Sequence, residues 1–441
     1  MERYSGAVVV IGAGYVGLTS AVCLAELGHR VACVDIDEGR IARLRENRVD
    51  LLEPRLAELL HRNRRRGRLS FHTEPTFVVP AADDVFVCVP TPGRPDGSTD
   101  LSAVDAVTRR VSGLLRPGAR LVVKSTVPPG THRRVAALLG RADVAVVSNP
   151  EFLREGTAVA DFLEPDRIVV GADDPTAAAM VARLYDGIDA EVLRTDATSA
   201  ETVKFAANGF LAVKLAYVNS IAELCEHVGA DVADVLGAVG RDPRIGAAHL
   251  RPGPGWGGPC LPKDARALAA LGAGTGCDLS LVDAAVAVNA HHQRRVAGLL
   301  DDVLAAGEPR VAVLGLTFKA GTNDLRDSPA LPITTLLARH AKVSAYDPAI
   351  TAAVPGVTDH LKLASDAESA VAGSDAVLLL TDWPEFARLP WRRLARSMRG
   401  DLVVDTRNHL AADRLADAGL RLRRLGRAPL FPEPLAASAT C

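Results

Sequence analysis

Short apolar runs recur along the first 150 positions and alternate with segments of helical periodicity. The run Ala7–Ile11 is uncharged and mostly β-branched, which is typical of a parallel strand buried on both faces. A helical pattern follows it as far as Gly28, and a second strand is predicted at Arg30–Val34. Further strand-like runs occupy 84–92, 120–130 and 144–152. The alternation predicts a doubly wound parallel α/β domain.

The pattern changes in the middle of the chain and then returns. Residues 198–228 carry apolar positions three and four apart over a length unusual for a globular helix. Strand-like runs resume at 310–319, 342–348, 375–383 and 401–408. We therefore expect two Rossmann-like doubly wound domains, at 1–197 and 301–441, joined by a central helical domain at 198–300 that contains one long helix. A helix that links two domains is also a candidate dimer face.

Length, charge and cysteine usage narrow the function class. A chain of 441 residues exceeds what one core serves, and a net charge of −2 gives no reason to expect nucleic acid or a membrane as partner. The seven cysteines form no C-x-x-C pair, so neither a metal site nor a disulfide framework is expected. The apolar stretch 7–28 is broken by glycines and lacks a preceding basic cluster, so no targeting segment is expected. These features suit a cytoplasmic protein.

A glycine motif lies between the first strand and the first helix. Gly12, Gly14 and Gly17 form G-x-G-x-x-G, whose glycines permit a tight turn and close approach of backbone to a pyrophosphate at the helix N-terminus. Asp35 ends the second strand, where a ribose-binding carboxylate belongs. The motif predicts NAD in preference to NADP, although Arg40 is close enough to weaken that preference. A glycine turn without a ligand is the alternative, and the ordered strand, turn, helix, strand and acid argue against it.

Other polar residues follow the predicted strands, where ligands bind in doubly wound sheets. In the first half these are Thr91, Ser125, Thr126 and Glu151, which we expect at the cofactor crevice. In the second half they are the basic residues Lys319, Arg326 and Arg407, which suit phosphate or carboxylate oxygens. The second half lacks a complete G-x-G-x-x-G, so its ligand need not be a dinucleotide.

Cys260 lies in a segment dense in glycine and proline, which predicts a shaped loop from residue 242 to 264 rather than a helix. A small buried residue filling a turn is the commonest role of a cysteine. Here Lys263 and Lys204 are candidate positive charges that favour a thiolate. Lys204 and Asn208 lie four apart, on one face of the long predicted helix. A nucleophilic cysteine beside a nicotinamide can hold an aldehyde, deliver its hydride and leave a thioester for hydrolysis.

Ordered motifs over nearly the whole length give a family resemblance. The chain resembles the UDP-glucose/GDP-mannose (nucleotide-sugar) 6-dehydrogenase family. The resemblance rests on GAGYVGL, VPTP, KSTVPPG, NPEFLREG, KFAANGFLAVK, GWGGPCLPKD, GLTFKAGTNDLRDSP and DTRN, in the family's order. It implies a four-electron oxidation of the C6 alcohol of a sugar nucleotide, with two NAD used in turn. UDP-glucose is the favoured substrate and UDP-glucuronate its product.

The resemblance also implies roles for residues. Cys260 is the nucleophile, Lys204 and Asn208 stabilise the oxyanion, and Asp264, Glu151 and Thr126 serve hydrolysis. Cofactor contacts are implied for Gly12, Gly14, Tyr15, Val16, Gly17, Asp35, Arg40, Thr91, Ser125, Thr126, Glu155, Lys263 and Arg326. Substrate contacts are implied for Glu151, Phe152, Leu153, Glu155, Lys204, Asn208, Arg244, Arg251, Gly255, Gly257, Phe318, Lys319 and Arg407. Arg244 resembles an arginine that reaches the neighbouring subunit's site, which implies a homodimer.

Alternatives stay open at this point. The same chemistry on TDP-glucose, GDP-mannose or UDP-N-acetylmannosamine would use the same motifs. A two-electron β-hydroxyacid dehydrogenase also has a Rossmann domain and a Lys-x-x-x-Asn pair, but it explains neither Cys260 in its glycine loop nor a second nucleotide fold. A nucleotide-binding redox sensor would need an exposed thiol and no Lys-Asn pair. The residues favour the sugar dehydrogenase.

Overall fold

The computed structural model describes residues 5–305 and 307–429, and the chain packs as two compact units. The first unit comprises the chain up to Ala207 together with the separate segment Arg266–Cys277. The second unit comprises Asn208–Ala265 and the chain from Asp278 onward. This division differs from the three domains that the sequence predicts, whose boundaries stay a prediction.

Within the described residues, the first unit is built on one sheet of eight strands. They are β1 (Ala7–Ile11), β2 (Arg30–Val34), β3 (Leu69–His72), β4 (Asp84–Val87), β5 (Arg120–Val123), β6 (Ala145–Ser148), β7 (Ile168–Ala172) and β8 (Val192–Thr195). Their order is β3-β2-β1-β4-β5-β6-β7-β8. All neighbouring pairs are parallel except β6 with β7. The strands β1 and β2 have the predicted bounds.

Helices cover both faces of this sheet. They are α1 (Tyr15–Glu26), α2 (Glu38–Arg45), α3 (Leu56–Arg65), α4 (Ser102–Ser112), α5 (Thr131–Leu139), α6 (Ala158–Leu163) and α7 (Pro175–Ala182). Along β1, Val8 and Val10 pack into the core that contains α1, whereas Val9 and Ile11 pack into the core that contains α4 and α5. Both sets are apolar because both faces of the strand are buried.

The middle of the chain is helical, with α8 (Ala197–Val228), α9 (Val232–Val239), α10 (Leu261–Thr275), α11 (Ser280–Gly298) and α12 (Asp301–Leu304). The long helix α8 confirms the prediction for 198–228, and it ends before Gly229, whose φ of 74° is favourable for glycine. In the described residues α8 alone is long and apolar enough to cross a membrane, and 44% of its apolar window is buried. The loop prediction around Cys260 is wrong at its end, because α10 already begins at Leu261. Pro262 lies in its first turn, where no intrahelical N–H bond is lost.

The second unit contains a sheet of six parallel strands in the part of the chain described. They are β9 (Arg310–Leu314), β10 (Lys342–Tyr346), β11 (Lys362–Leu363), β12 (Ala376–Leu379), β13 (Leu402–Asp405) and β14 (Arg421–Arg424), and its helices are α13 (Ala330–Leu337), α14 (Ala367–Val371), α15 (Trp391–Ser397) and α16 (Ala412–Ala416). Their order is β11-β10-β9-β12-β13-β14. The two sheets confirm the predicted α/β class. Chain order reverses between β1 and β4 and between β9 and β12, the points where such sheets bind ligands.

Candidate active site

The glycine turn after β1 is shaped to receive a phosphate group. The Gly12 N–H donates to the Val34 carbonyl at 2.7 Å, and Gly12 has a φ of 101°. A Cβ on Gly12 would lie 2.4 Å from the Cys88 carbonyl oxygen, and one on Gly17 would lie 1.8 Å from that of Gly12. Gly14 instead faces open space and caps α1 without a side chain. The first N–H groups of α1, beginning with Tyr15 and Val16, are thus available to an anion.

Asp35 lies beside this turn, as the motif predicts. It is buried, and its Oδ2 accepts the Ala13 N–H at 2.6 Å while Oδ1 accepts the Asp37 N–H at 2.9 Å. The Arg40 Nη1 lies 3.1 Å from the same Oδ2. The Asp35 carboxylate therefore both stabilises the glycine turn and pairs with Arg40, the arginine that the sequence analysis placed nearby. These residues fit a dinucleotide.

The predicted cofactor residues after β4 and β5 brace each other's loops. The Thr91 hydroxyl donates to the Thr126 carbonyl at 2.8 Å, and the Ser125 hydroxyl donates to the Val89 carbonyl at 2.7 Å. Each hydroxyl oxygen still has lone pairs with which to accept a further bond.

Tyr15 has a second role that the motif does not reveal. Its hydroxyl donates to Glu53, a buried carboxylate absent from the predicted site, and accepts the Gly156 N–H at 2.8 Å. Burial, together with the Glu53 charge, raises the pKa of Tyr15, so the hydroxyl stays protonated. The side chain of Tyr15 is therefore turned toward the loop that contains Glu155. A predicted cofactor contact by Tyr15 falls to its backbone.

Glu151 and Lys204 form a buried pair in the first unit. The Lys204 Nζ lies 3.1 Å from Glu151 Oε1, and Oε2 of the same carboxylate accepts the Leu153 N–H at 2.6 Å. Two cations lie close to the ring of Phe152, the Arg167 guanidinium at 4.0 Å and the Lys204 Nζ at 5.6 Å from its centroid. Cations favour aromatic faces. Sequence reasoning missed Arg167, because nothing in its spacing links it to Phe152.

Asp264 is the centre of a second cluster, in the second unit. It is fully buried, accepts from Asn208 Nδ2 at 2.6 Å, and lies 2.5 Å from the Lys263 Nζ. Its backbone N–H donates to the Cys260 carbonyl at 2.9 Å, which closes the first turn of α10. Cys260 is exposed at that helix N-terminus, an environment that favours the thiolate form of a cysteine. The structure brings together Cys260, Lys263, Asp264 and Asn208, and their assigned roles stay predictions.

The glycine loop before Cys260 is held by side chains that the sequence analysis did not identify. The Gly253 N–H donates to Asn219 on α8 at 3.0 Å, and His292 Nε2 on α11 donates to the Gly253 carbonyl at 2.8 Å. Asn289 bonds both the N–H and the carbonyl of Trp256, each at 2.9 Å. Burial lowers the pKa of His292 to about 4. Their helical spacing is that of ordinary buried positions, so no sequence signal distinguishes them.

The loop also packs on residues that follow the second sheet. A Cβ on Gly257 would lie 2.2 Å from the Asp327 carbonyl oxygen, and one on Gly258 would lie 2.7 Å from the Phe318 ring. Gly255 has a φ of 128°, whereas Arg251 at the loop's start is exposed. Glycines here are therefore required by close contact as well as by backbone angle.

Basic residues meet after β9 and β13. The Arg407 Nε donates to the Leu380 carbonyl at 2.8 Å, and its Nη2 donates to the Phe318 carbonyl at 3.3 Å. Burial lowers the pKa of Arg407. The Lys319 Nζ lies 5.5 Å from the centroid of the Phe318 ring. Arg407, Lys319 and Phe318 thus form one cationic and aromatic cluster, whose chemistry suits a phosphate-bearing ligand.

The second sheet has an aspartate, Asp347, at the position that corresponds to Asp35 in the first sheet, and its Oδ2 accepts several hydrogen bonds from the protein itself. Asp347 follows β10 as Asp35 follows β2, and its Oδ2 accepts the Leu316 and Thr317 N–H groups at 2.7 and 2.9 Å. The Thr317 hydroxyl and the Trp383 indole N–H donate to the same oxygen at 2.9 and 3.1 Å. Asp347 Oδ2 therefore fixes the turn after β9 with four hydrogen bonds.

Two predicted arginines point to solvent. Arg244 and Arg326 are exposed, and each pairs with the aspartate two residues earlier, Asp242 and Asp324. Their assigned ligand contacts stay predictions. Among the described residues, no group of three or more His, Cys, Asp or Glu side chains is arranged to hold a metal ion.

Comparison with known proteins agrees with this arrangement. Three family models match in order, described as the NAD binding domain (residues 6–189), central domain (198–291) and UDP binding domain (312–412) of the UDP-glucose/GDP-mannose dehydrogenase family. The UDP-glucose 6-dehydrogenase of Rhizobium meliloti is 42% identical over 95% of this chain and 99% of that protein. The enzyme of that name from Pseudomonas aeruginosa is 39% identical over 95% and 97%.

Solved structures give the same result. A UDP-glucose dehydrogenase from Pyrobaculum islandicum is 37% identical with a TM-score of 0.88, over 97% of this chain and 99% of that chain. A UDP-D-ManNAc dehydrogenase from Pyrococcus horikoshii is 29% identical with a TM-score of 0.84, over 95% and 99%. The resemblance seen in the motifs is confirmed, and NAD is the cofactor that the matched N-terminal domain binds. The chain belongs to the UDP-glucose/GDP-mannose dehydrogenase family.

Proposed function

We propose that this protein oxidises UDP-glucose at C6 to UDP-glucuronate, with NAD as the oxidant and Cys260 as the nucleophile. The observation that carries the proposal is the buried Asp264, held by Asn208 and Lys263 one helical turn after Cys260. The matched NAD binding and UDP binding domains and the names of the relatives support this choice of cofactor and substrate.

The reaction balances over two oxidations. Bound NAD supplies the hydride acceptor, and two NAD are consumed for each sugar. The C6 alcohol first loses a hydride and a proton and becomes an aldehyde. The Cys260 thiolate then adds to the aldehyde carbon, which gives the oxyanion of a thiohemiacetal. This oxyanion loses the second hydride to NAD and becomes a thioester. Water breaks the carbon–sulfur bond, which releases the carboxylate and restores the thiol.

Lys204 and Asn208 are the proposed donors to the oxyanion. They lie one turn apart on α8, and both are buried. Asn208 Nδ2 gives one hydrogen to Asp264 and carries a second that points elsewhere. A preorganised donor of this kind is worth about 3–4 kcal/mol of transition-state stabilisation. Their pairing with carboxylates holds both donors in place before substrate arrives.

We assign the activation of the hydrolytic water to Asp264, with assistance from Glu151 and Thr126. The Asp264 carboxylate is fixed on both oxygens, by Asn208 and by Lys263. Glu151 is fixed by Lys204 and by the Leu153 N–H. A fixed carboxylate within reach of a water contributes about 10²–10⁴ in rate as a general base.

Binding is divided between the two sheets. The proposed cofactor contacts follow the first sheet and begin α1, and Lys263 and Arg326 are assigned to the cofactor as well. The proposed sugar-nucleotide contacts are the loop after β6, the glycine loop and the cationic cluster after β9 and β13. By residue, cofactor is assigned to Gly12, Gly14, Tyr15, Val16, Gly17, Asp35, Arg40, Thr91, Ser125, Thr126 and Glu155, and substrate to Phe152, Leu153, Glu155, Arg251, Gly255, Gly257, Phe318, Lys319 and Arg407.

A homodimer through α8 is part of the proposal. Phe210, Tyr217, Leu224 and Val228 are large apolar side chains that are 67%, 56%, 52% and 66% exposed. They are spaced by seven, seven and four, so they form one stripe along the helix. An exposed apolar stripe of this length is typical of an interface. The exposed Arg244 would then reach the partner's site.

A cytoplasmic location is also proposed. Cys23, Cys33, Cys88, Cys225 and Cys277 are thiols rather than disulfides, which suits a reducing compartment.

The test of substrate identity is a direct comparison of kcat/KM for UDP-glucose, TDP-glucose, GDP-mannose and UDP-N-acetylmannosamine, with NAD. We expect UDP-glucose to lead by at least about tenfold. UDP-N-acetylmannosamine is the second candidate, because structures with that activity in their names are 29% and 27% identical to this chain. A lead for that sugar would replace UDP-glucose and leave the chemistry intact.

A further inference from the structure

One buried carboxylate, Glu53, connects the start of α1 to residues 156–159 within the first unit. Glu53 is 8% exposed and accepts the Tyr15 hydroxyl, the Gly156 N–H at 2.9 Å and the Val159 N–H at 3.2 Å. The Gly156 N–H also lies 2.8 Å from the Tyr15 hydroxyl oxygen. Three segments distant in sequence therefore meet at Glu53.

Two of these segments are proposed ligand loops. Tyr15 is the first residue of α1, and with Gly12 and Gly14 it belongs to the cofactor turn (residues 12–15). Gly156 belongs to the sugar loop (residues 151–157), which has no regular secondary structure and contains Glu151. We propose that Tyr15 and Glu53 are positioning residues that fix the sugar loop against the cofactor turn. This inference rests on the proposed function, which assigns the two loops their ligands.

The hydrogen bonds around Glu53 fix the position of the sugar loop relative to the cofactor turn. Glu53 brings a full charge into a buried site, where bonds to a charged acceptor are the stronger kind. The tyrosine hydroxyl donates to that carboxylate and accepts from Gly156 at once, so it completes a closed triangle of bonds. Deleting the hydroxyl leaves Glu53 in place but removes the direct link from α1 to the sugar loop.

The sugar loop has other anchors: Glu151 pairs with Lys204 on α8, and two backbone hydrogen bonds are local. Leu153 N–H bonds Glu151 at 2.6 Å, and the Arg154 N–H bonds Asp161 at 2.8 Å. These bonds shape the loop but do not tie it to the cofactor turn. The Tyr15–Glu53 pair links the loop to the cofactor turn through the Gly156 N–H.

The experiment uses the full chain with Tyr15→Phe, and Tyr346→Phe as a matched control. Tyr346 also bonds a glutamate, Glu385, but it lies on β10. For Tyr15→Phe we expect the KM for UDP-glucose to rise about ten- to hundredfold, as for a lost bond to a charged group. The KM for NAD stays within twofold and the melting temperature matches that of the control. Equal KM increases for both substrates, or no change in either, would overturn the inference.

A second measurement needs no turnover. Amide hydrogen exchange at residues 153–159 is expected to quicken at least about tenfold in Tyr15→Phe and in Glu53→Gln, while the strands of the sheet keep wild-type protection. Unchanged exchange in the sugar loop would refute the positioning role. A wild-type protein inactive on every sugar nucleotide would refute the proposed function instead, so the two failures are distinguishable.

Discussion

Asn208 and Asp264 lie 56 positions apart in the chain and meet through a hydrogen bond of 2.6 Å between Nδ2 and Oδ2. The contact joins α8 to the first turn of α10, where Cys260 precedes the helix. A buried carboxylate without donors is costly, so the amide also stabilises the charge on Asp264. The same bond therefore orients the proposed oxyanion donor, Asn208, and the proposed general base for hydrolysis, Asp264. Each prediction below depends on this division of roles or on the elements that support it.

Replacing the nucleophile is expected to abolish formation of the acid. Cys260→Ala removes the sulfur that holds the aldehyde, so UDP-glucuronate production should fall at least about a thousandfold. Cys277→Ala is the control, because Cys277 is also an exposed cysteine but follows α10. Chromatography of the product measures the outcome. A Cys260→Ala protein that still makes UDP-glucuronate at more than a few per cent of the normal rate would exclude the thioester route.

Replacing the proposed general base, Asp264, by a neutral residue is expected to trap an intermediate. In Asp264→Asn the thioester should still form, but no general base would activate the water that attacks it. We therefore expect kcat to fall about 10²–10⁴-fold. Mass spectrometry of the intact protein would then show the sugar nucleotide attached at Cys260. Asp283→Asn, an exposed carboxylate on α11, serves as control. A slow Asp264→Asn variant with no covalent adduct would instead place Asp264 before thioester formation.

The His292 anchor is expected to make stability depend on pH. Burial lowers its pKa from 6.5 to about 4, so the unfolded chain takes up a proton before the folded chain does. Stability is then unaffected above pH 6.5 and declines as pH falls toward 4, by up to about 3 kcal/mol. His292→Gln keeps an N–H donor for Gly253 but does not titrate. Urea unfolding between pH 7 and 4.5 should show a shallower decline for His292→Gln than for wild type or for the exposed-site variant His61→Gln. Parallel declines would rule out His292 as the cause.

The stripe on α8 is expected to hold the dimer together. Phe210→Glu with Leu224→Glu places two charges on the exposed apolar face and should yield monomers in sedimentation velocity. Because Arg244 is assigned to the partner's site, the monomer should also lose most activity. Leu281→Glu, at a position 73% exposed on α11, should remain dimeric. A double variant that sediments like wild type would move the interface elsewhere.

Much of the fold follows from pattern alone. The strands β1 and β2 have their predicted bounds because both faces of each strand pack into a core. The edge strands β3, β8, β11 and β14 were not predicted, and neither was the inner strand β7 (Ile168–Ala172). The edge strands are interrupted by polar or charged residues, as in Val192–Thr195 and Arg421–Arg424, so they lack the continuous apolar run of a central strand.

The residues of the candidate site likewise fall into those that the sequence predicts and those that it does not reveal. Spacing on one helix predicts Lys204 with Asn208, and the helix is observed. Contacts made across long stretches of chain have no such signal: Glu53 with Tyr15, Arg167 with Phe152, and His292 with Gly253. Each of these pairs depends on how separate elements pack. The start of α10 at Leu261 was also mispredicted, because proline near Cys260 is typical of a loop as well as of a first helical turn.

The central claim is a four-electron oxidation completed on one thiol. Its most direct test counts NADH formed for each UDP-glucose consumed, with purified protein, excess NAD and limiting sugar nucleotide. The account predicts two NADH for each UDP-glucose and UDP-glucuronate as the final product. One NADH for each sugar, with the aldehyde released into solution, would contradict it.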